Sequence, residues 1–490
     1  MSQIKKLAGQ TAIYGLSSIL GRLLNYLLVP FYTRIFVPAE YGVVSEFYAY
    51  VTFLIVLYTF GMETAYFHFS SKSGDEEKVY SNSLITISSI SAFLSLTLLL
   101  FAQTVANALG YSENPEYIRW FALILCFDAL TAIPFARLRK QGKAKTFAGL
   151  RIINILLNIA LNLFFLVLLP KLAKESVLWA AIYSPNMGIG YVFLSNLLAS
   201  ALTLILLIPS LKKVSFPADK KLIREMLVYA FPLLIAGFAG MINETLDRAI
   251  LKYLVTDKST AMEQLGIYSA CYKLSILMTL FVQTFRYAAE PFFFSQQHKE
   301  NSRQLYATVM DYFVYGCCII LLAVLLYMDL VKLFIGEEYH AGLNVVPVLL
   351  VANLCLGVYL NLSIWYKLTG HTRYGAGLSI IGAAITIVFN FWLIPIYGYM
   401  GAAWATLICY ASMMAMSYVK GQQYFPVPYN SMKLFVMVLT ALATWWLASQ
   451  ATTFMKSNTT VYLFNLVLIL TYSGIIWRWM RRRKPLITSL

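Results

Sequence analysis

Residues 137–165 read RLRKQGKAKTFAGLRIINILLNIALNLFF, and residues 365–393 read WYKLTGHTRYGAGLSIIGAAITIVFNFWL. At this offset of 228 positions, eight of the 29 aligned residues are identical, among them Gly142 with Gly370 and Asn162 with Asn390. Each copy reads as a short basic hinge that follows one apolar helix and leads into the next. A duplicated helical membrane unit is typical of a transporter, because two packed repeats create a central pathway.

The composition predicts a membrane protein. The 490-residue chain is 60% hydrophobic and only 12% charged, which is about half the charged share of a soluble domain. Apolar runs of about 20 residues, the length that crosses a hydrocarbon core, recur along the chain. We therefore predict an all-α polytopic membrane protein with about fourteen transmembrane helices. The predicted spans are 11–35, 42–68, 83–109, 117–137, 146–169, 188–209, 226–250, 265–292, 306–328, 342–366, 374–396, 400–419, 432–450 and 459–480.

The repeat predicts how these spans are grouped. YGVVSEFY (41–48) also aligns with LGIYSACY (265–272), so spans 1–6 form one lobe and spans 7–12 a second lobe of the same orientation. We predict an N-lobe over 1–210 and a cytoplasmic linker over 211–225. The linker is followed by a C-lobe over 226–420. A C-terminal helix pair with a basic tail covers 421–490. The last two spans have no partner in the repeat.

The net charge of +16 is distributed as a membrane topology requires. With a cytoplasmic N-terminus, cytoplasmic segments hold 25 of the 38 Lys and Arg residues, whereas the opposite segments hold eight. This bias follows the positive-inside rule and predicts that both termini are cytoplasmic. It also argues against a nucleic-acid partner.

The remaining composition gives no sign of an enzyme. The six cysteines fall inside predicted spans without metal-ligand spacing, and we expect neither a disulfide framework nor a metal site. No nucleophile–base arrangement stands out, and no glycine-rich phosphate loop is present. No catalytic residue and no cofactor is predicted, although a gradient of H⁺ or Na⁺ could supply the energy.

The end of the first span carries a family resemblance. PFYTRIFVPAEYG (30–42), with the two six-helix lobes and the extra helix pair, resembles polysaccharide-export members of the multidrug/oligosaccharidyl-lipid/polysaccharide (MOP) flippase superfamily. The resemblance implies a Wzx-type flippase of the bacterial inner membrane that moves undecaprenyl-pyrophosphate-linked oligosaccharide. Its implied partners are the polyprenyl-linked glycan, membrane lipid, and glycan polymerase or ligase machinery. A lipid II flippase and a MATE-like multidrug or cation antiporter remain alternatives.

Five basic residues lie inside predicted spans, where an unpaired charge costs at least about 2.5–3.5 kcal/mol. They are Arg22, Arg151, Arg248, Lys273 and Arg286. Arg22 lies near the middle of the first span, on a polar stripe that includes Asn25, and faces either a lumen or a neighbouring helix. Arg248 follows Asp247 directly, so it either pairs locally or lines the pathway.

Span eight carries the longest polar stripe. Helical spacing relates seven polar residues and predicts one polar face that crosses the bilayer: Tyr268, Tyr272, Ser275, Thr279, Gln283, Arg286 and Glu290. We expect this face to line a cationic, polar cleft between the lobes, where the Arg forks bind pyrophosphate and the tyrosines and amides bind sugar.

Intramembrane acids are the candidates for ion coupling. Asp128 lies in the middle of span four and is the strongest candidate, with Glu63 and Glu290 as further ones. A hydrogen bond to a neighbouring helix is the structural alternative for Asp128, and pairing with Arg286 is the alternative for Glu290.

Overall fold

The computed structural model of the protein describes residues 23–24, 26–72, 75–211, 218–297, 301–453, 455 and 457–481. All regular structure in these ranges is helical. Twelve helical segments, three of which join adjacent helices, are long and apolar enough to cross a membrane. A further pair of helices with a 50° bend between them raises the number to thirteen when the pair is counted as one span. These correspond to predicted spans 2–14. Most of predicted span 1 lies outside the described residues.

The chain divides into two compact units, Met1–Phe36 with Glu40–Met241, and Val37–Ala39 with Ile242–Leu490. The helices up to the division are α1 (Leu28–Ile35), α2 (Pro38–Thr59), α3 (Met62–Lys72), α4 (Glu76–Leu100), α5 (Ala102–Leu109), α6 (Pro115–Lys140), α7 (Ala144–Leu163), α8 (Leu169–Glu175), α9 (Val177–Ile182), α10 (Gly190–Leu211) and α11 (Lys220–Leu254). A π-helical turn, Phe164–Leu168, joins α7 to α8.

The second unit contains the remaining helices. They are α12 (Ala261–Leu274), α13 (Ile276–Gln296), α14 (Ser302–Leu326), α15 (Met328–Val331), α16 (Val345–Leu362), α17 (Ile364–Leu368), α18 (Thr372–Tyr397), α19 (Tyr399–Tyr424), α20 (Ser431–Thr452) and α21 (Asn458–Arg481). The division between the units falls inside α11. This helix also begins within the segment 211–225, so the last six residues of the predicted linker are helical.

The repeated segments have the same local structure. Gly142 and Gly370 both have a left-handed backbone, with φ of 68° and 75°, in the short turn between one helix and the next. Glycine adopts this conformation without the steric cost of a Cβ. Asn162 and Asn390 are both fully buried. Each donates a hydrogen bond to the carbonyl four residues earlier, at 2.8 and 2.7 Å. The identical residues of the repeat therefore maintain its fold.

The span-eight helix is bent at Ser275, between α12 and α13. The Ser275 hydroxyl donates to the carbonyl of Tyr272 at 2.8 Å and accepts from the side-chain amide of Asn353 at 3.2 Å. A serine that bonds back to its own helix competes with the backbone ladder and bends the helix. The bend thus has a cause in the buried Ser275 side chain, to which Asn353 donates.

The C-terminal helix pair packs on α14 within the second unit. The ammonium group of Lys433 on α20 lies 2.6 Å from the carboxylate of Asp311 on α14. The side-chain amide of Asn465 on α21 donates to the carbonyl of Leu326 at 2.7 Å, and the hydroxyl of Tyr327 donates to the carbonyl of Tyr462 at 2.9 Å. The ion pair and the hydrogen bonds hold the two C-terminal helices on α14, while large apolar side chains such as Phe435 and Leu470 remain exposed for lipid.

Candidate functional site

A small cavity lies in the second unit where α13 meets α16 and α17. Gly357 permits this close approach, because a Cβ there would lie 2.7 Å from Cγ2 of Val282. The cavity has a volume of about 20 Å³, which is room for about one water molecule. Its lining combines an apolar wall with charged and polar groups: Val282, Phe285, Arg286, Ala289, Glu290, Phe293, Gly357, Leu360, Asn361, Ser363, Ile364 and Lys367.

Two cations share one carboxylate at this cavity. The Nζ atom of Lys367 lies 2.7 Å from Oε1 of Glu290, and Nε of Arg286 lies 3.8 Å from Oε2. The Arg286 side chain is 51% exposed, so its guanidinium retains donors that Glu290 does not use. The group therefore carries an excess of positive charge and free capacity for an anion.

A buried amide strengthens this interpretation. Asn361 is 6% exposed, and its Nδ2 atom has no hydrogen-bond partner among the described residues. Leaving a buried donor without an acceptor costs about 1–3 kcal/mol. The lining thus includes an amide without a hydrogen-bond partner in the described part of the chain, as well as two cations, groups suited to an oxygen-rich anion.

The other predicted residues of span eight belong to a separate cluster. The hydroxyl of Tyr268 donates to Oδ2 of Asp247 at 2.6 Å. The backbone amide of Arg248 donates to Oδ1 of Asp247 at 2.8 Å, and the Arg248 guanidinium lies over the ring of Tyr272, 4.4 Å from its centroid. It also donates to the carbonyl of Glu244. Arg248 therefore pairs locally with Asp247, and its lining of the pathway stays a prediction.

The bend at Ser275 divides the predicted polar face of span eight into two segments, and its lining of a pathway stays a prediction. Tyr268 is fully buried on α12, whereas Arg286 and Glu290 line the cavity on α13. Gln283 is half-buried on α13 and is not among the lining residues. Arg22 and Asn25 lie outside the described residues, and their roles stay predictions.

The first unit contains a matching ion pair. Arg139, at the end of α6, forms a salt bridge with Glu63 in the first turn of α3. At the repeat offset of 228, Arg139 corresponds to Lys367. In each unit, the cation before the hinge glycine pairs with a carboxylate from the second half of an interrupted helix. Asp128 interacts instead with Ser200 and, electrostatically, with Arg151.

Lys367 and Asn361 were not predicted as site residues. In the sequence, Lys367 reads as a loop cation and Asn361 as a single amide in an apolar run. The alignment of Lys367 with Arg139 was the available signal, since both repeats keep a basic residue three positions before the glycine.

Comparisons with known proteins agree with this architecture. Residues 7–297 match the family model described as "Polysaccharide biosynthesis protein". The chain is 23% identical over 326 residues to the capsular polysaccharide biosynthesis protein CapF of Staphylococcus aureus, with 64% of this chain and 76% of that protein covered.

Solved structures share the fold. The lipid II flippase MurJ, in an inward closed conformation, superposes with a TM-score of 0.73 at 16% identity, covering 96% of this chain and 98% of that one. An inward-facing multidrug resistance MATE transporter of the MOP superfamily gives 0.64 at 13% identity, covering 82% and 93%. The predicted multi-pass helical architecture of the MOP type is confirmed. By the match of its sequence over more than half its length, the chain belongs to the polysaccharide biosynthesis protein family.

Proposed function

We propose that the protein is a flippase that moves an undecaprenyl-pyrophosphate-linked oligosaccharide across the bacterial cytoplasmic membrane by alternating access. The oligosaccharide would be a repeat unit of O antigen, capsule or exopolysaccharide. Family membership supports a role in polysaccharide biosynthesis. The fold shared with a lipid II flippase supports transport of a lipid-linked glycan. The basic loops and tail support cytoplasmic termini.

The observation that carries the proposal is the cluster of Arg286, Lys367, Glu290 and Asn361, whose cavity of about 20 Å³ would have to open during alternating access to admit a phosphate. A pyrophosphate needs positive charge with directional donors, which a guanidinium, an ammonium and an amide supply together. The carboxylate of Glu290 holds the two cations in position when no phosphate is present. A phosphate oxygen that replaces Glu290 as their partner would bind there without leaving either cation unpaired.

For energy coupling, we propose Asp128 as the residue that binds H⁺ or Na⁺. Ser200 provides a neutral hydroxyl beside this carboxylate, and Arg151 is the charged group that acts on it. Glu63 and Glu290 have direct basic partners at Arg139 and Lys367. A carboxylate with a hydroxyl neighbour exchanges a small cation more readily than one held by an ion pair.

The experiment compares Arg286→Ala, Lys367→Ala and Arg22→Ala in cells that depend on this protein for a surface glycan. Surface glycan is measured together with the side of the membrane on which lipid-linked oligosaccharide accumulates. Lys332→Ala is the matched control, because it removes a cation that pairs with Asp329 away from the cavity. Losing a hydrogen bond to a charged group costs about 1.5–3 kcal/mol, so we expect transport to fall about 10-fold to 100-fold.

Flipping predicts that lipid-linked oligosaccharide accumulates on the cytoplasmic side in Arg286→Ala and Lys367→Ala, at normal protein levels. Normal glycan display in both variants would overturn the assignment of the cavity. Accumulation of unpolymerised oligosaccharide on the outer side would indicate polymerisation instead of flipping. Rescue of a strain that lacks its lipid II flippase would support a lipid II flippase. Drug efflux without any glycan defect would support a MATE-like antiporter.

A further inference from the structure

A second recess lies on the second unit, between α18 and α19. It has a volume of about 530 Å³ and is separate from the cavity at Glu290. Its lining includes Arg373, Tyr374, Gly377, Ile381, Met416 and Lys420. We call it the α18–α19 groove.

The floor of the groove is apolar and open. Gly377 has no atom within 4 Å of the place where its Cβ would stand, so the absent side chain leaves space beside Ile381. Ile381 is 47% exposed, and Val419 on the opposite wall is 54% exposed. An apolar chain lying in the groove would cover both walls.

The mouth of the groove carries two positive charges. Arg373 lies in the first turn of α18, where the helix macrodipole disfavours a cation. Its position is therefore not explained by the stability of its own helix. Lys420 stands on the opposite wall, with Gln423 as its side-chain partner at 3.3 Å. Neither cation forms an ion pair with a carboxylate in the part of the chain that the structure describes.

The same sequence pattern occurs in the other repeat. At the offset of 228, Arg373 corresponds to Lys145, and Gly377 and Ile381 correspond to Gly149 and Ile153. Gly149 also has no atom within 4 Å of its Cβ position. A basic residue, a glycine one turn later and an isoleucine one turn after that are thus present in both copies. Each copy combines a charge with an open apolar surface.

We propose that the α18–α19 groove binds an anionic phospholipid. Its phosphate would lie between Arg373 and Lys420, and one acyl chain would pack along Gly377 and Ile381. Basic recesses between membrane helices attract anionic headgroups, and each basic residue near the membrane surface adds to the affinity.

The size of the groove favours a phospholipid over the tail of a polyprenyl substrate. Arg373 and Ile381 are eight residues apart on α18, which is about 12 Å along a helix that rises 1.5 Å per residue. This length fits inside one leaflet of a bilayer whose hydrocarbon core is about 30 Å thick. An acyl chain of a phospholipid occupies one leaflet as well, with its phosphate at the surface.

The test measures lipid binding to the purified full-length protein by native mass spectrometry. The probes are phosphatidylglycerol and phosphatidylcholine with the same acyl chains, undecaprenyl phosphate, and glycerol 3-phosphate as the soluble headgroup. The variants are Arg373→Ala with Lys420→Ala, and Gly377→Leu, which fills the groove and keeps both charges. Ala415→Leu fills it from the other wall if Gly377→Leu does not fold. Lys220→Ala with Lys221→Ala is the control, because it removes two exposed cations elsewhere.

We expect the wild type to prefer phosphatidylglycerol. In Arg373→Ala with Lys420→Ala, we expect the Kd of the first bound phosphatidylglycerol to rise about 30-fold. This rise equals about 2 kcal/mol, at 1.4 kcal/mol per factor of ten. Either filling variant should also weaken binding, and glycerol 3-phosphate should not compete. An equal loss in the control, or no preference for phosphatidylglycerol, would overturn the proposal. Competition by glycerol 3-phosphate would show that the charges bind free phosphate, and tighter binding of undecaprenyl phosphate would assign the groove to that lipid instead.

Discussion

Lys367 and Arg139 hold corresponding positions in the two repeats, and each forms an ion pair with a carboxylate from an interrupted helix. The partner of Lys367 is Glu290 on α13, and the partner of Arg139 is Glu63 on α3. Both cations stand three residues before the left-handed glycine of the turn that leads to the next helix. Each pair therefore connects a hinge to the second segment of an interrupted helix within its own unit.

Glu290→Gln should tighten the binding of a pyrophosphate lipid. The amide keeps the shape of the side chain but removes the negative charge that competes for Arg286 and Lys367. Since hydrogen bonds to charged groups contribute about 1.5–3 kcal/mol, we expect about a tenfold lower Kd for undecaprenyl pyrophosphate. Asp329→Asn, which neutralises the partner of Lys332, is the control. Weaker binding in Glu290→Gln would show that the carboxylate contributes to the site.

Gly370→Ala should destabilise the second unit. Its φ of 75° is left-handed, and no neighbouring atom lies within 4 Å of the Cβ position, so the cost is backbone strain alone. That strain amounts to about 1–2 kcal/mol. Gly149→Ala is the control: this residue also has open space, but it lies inside helix α7, where alanine is favoured by about 0.5–1 kcal/mol. Opposite shifts in thermal unfolding of the two variants in detergent would confirm the difference, and equal shifts would contradict it.

The repeat made part of this site predictable. The hydropathy of the sequence predicts the thirteen spans found among the described residues, because the thickness of the bilayer fixes the length of a span. The alignment also indicates the hinges, because only glycine takes their backbone without strain. The bend at Ser275 was not predictable, since no proline or glycine marks it and its cause includes a bond from Asn353. The pairing of Lys367 with Glu290 escaped prediction too, because 77 residues separate the two in sequence.

Asp219 should make stability depend on pH. It caps the long helix α11 by accepting from the amides of Lys221 and Leu222 at 2.9 and 3.1 Å, and its carboxylate lies 2.7 Å from the ammonium of Lys78. The hydrogen bond from Lys78 and then the amide of Leu222 lower the pKa of Asp219. Because the folded pKa is lowered, this stabilisation is complete above the unfolded pKa of about 3.9 and is lost as the pH falls through the folded value.

Thermal unfolding of wild type and Asp219→Asn, in detergent between pH 6 and pH 3, measures this contribution. Asparagine retains the acceptor for the helix cap but loses the charge. We expect a lower Tm for Asp219→Asn at pH 6 and a difference that shrinks below about pH 4. Glu225→Gln, on the exposed face of the same helix, controls for net charge. A difference in Tm that stays constant with pH would exclude the ion pair as its source.

The C-terminal helix pair should depend on Asp311 and Lys433. The Lys433 side chain is only 7% exposed and the Asp311 side chain 22%, and their charged groups are 2.6 Å apart. Asp311→Ala would leave a buried ammonium without its carboxylate, which costs about 3–5 kcal/mol, whereas replacing both members of a buried pair by apolar residues is often close to neutral. We therefore expect Asp311→Ala to unfold at a much lower temperature than Asp311→Ala with Lys433→Met.

Limited proteolysis in the segment 453–457 would report whether the loss is local to α20 and α21. Rapid cleavage there in Asp311→Ala, with slow cleavage in the double variant, would show that the pair holds these helices on α14. The matched control is Asp329→Ala, because Asp329 is 68% exposed and its pair with Lys332 is solvated, so its removal should cost less than about 1 kcal/mol. If the double variant were as unstable as Asp311→Ala, the contact of the Lys433 ammonium with the ring of Trp479, 5.8 Å from its centroid, would outweigh the ion pair.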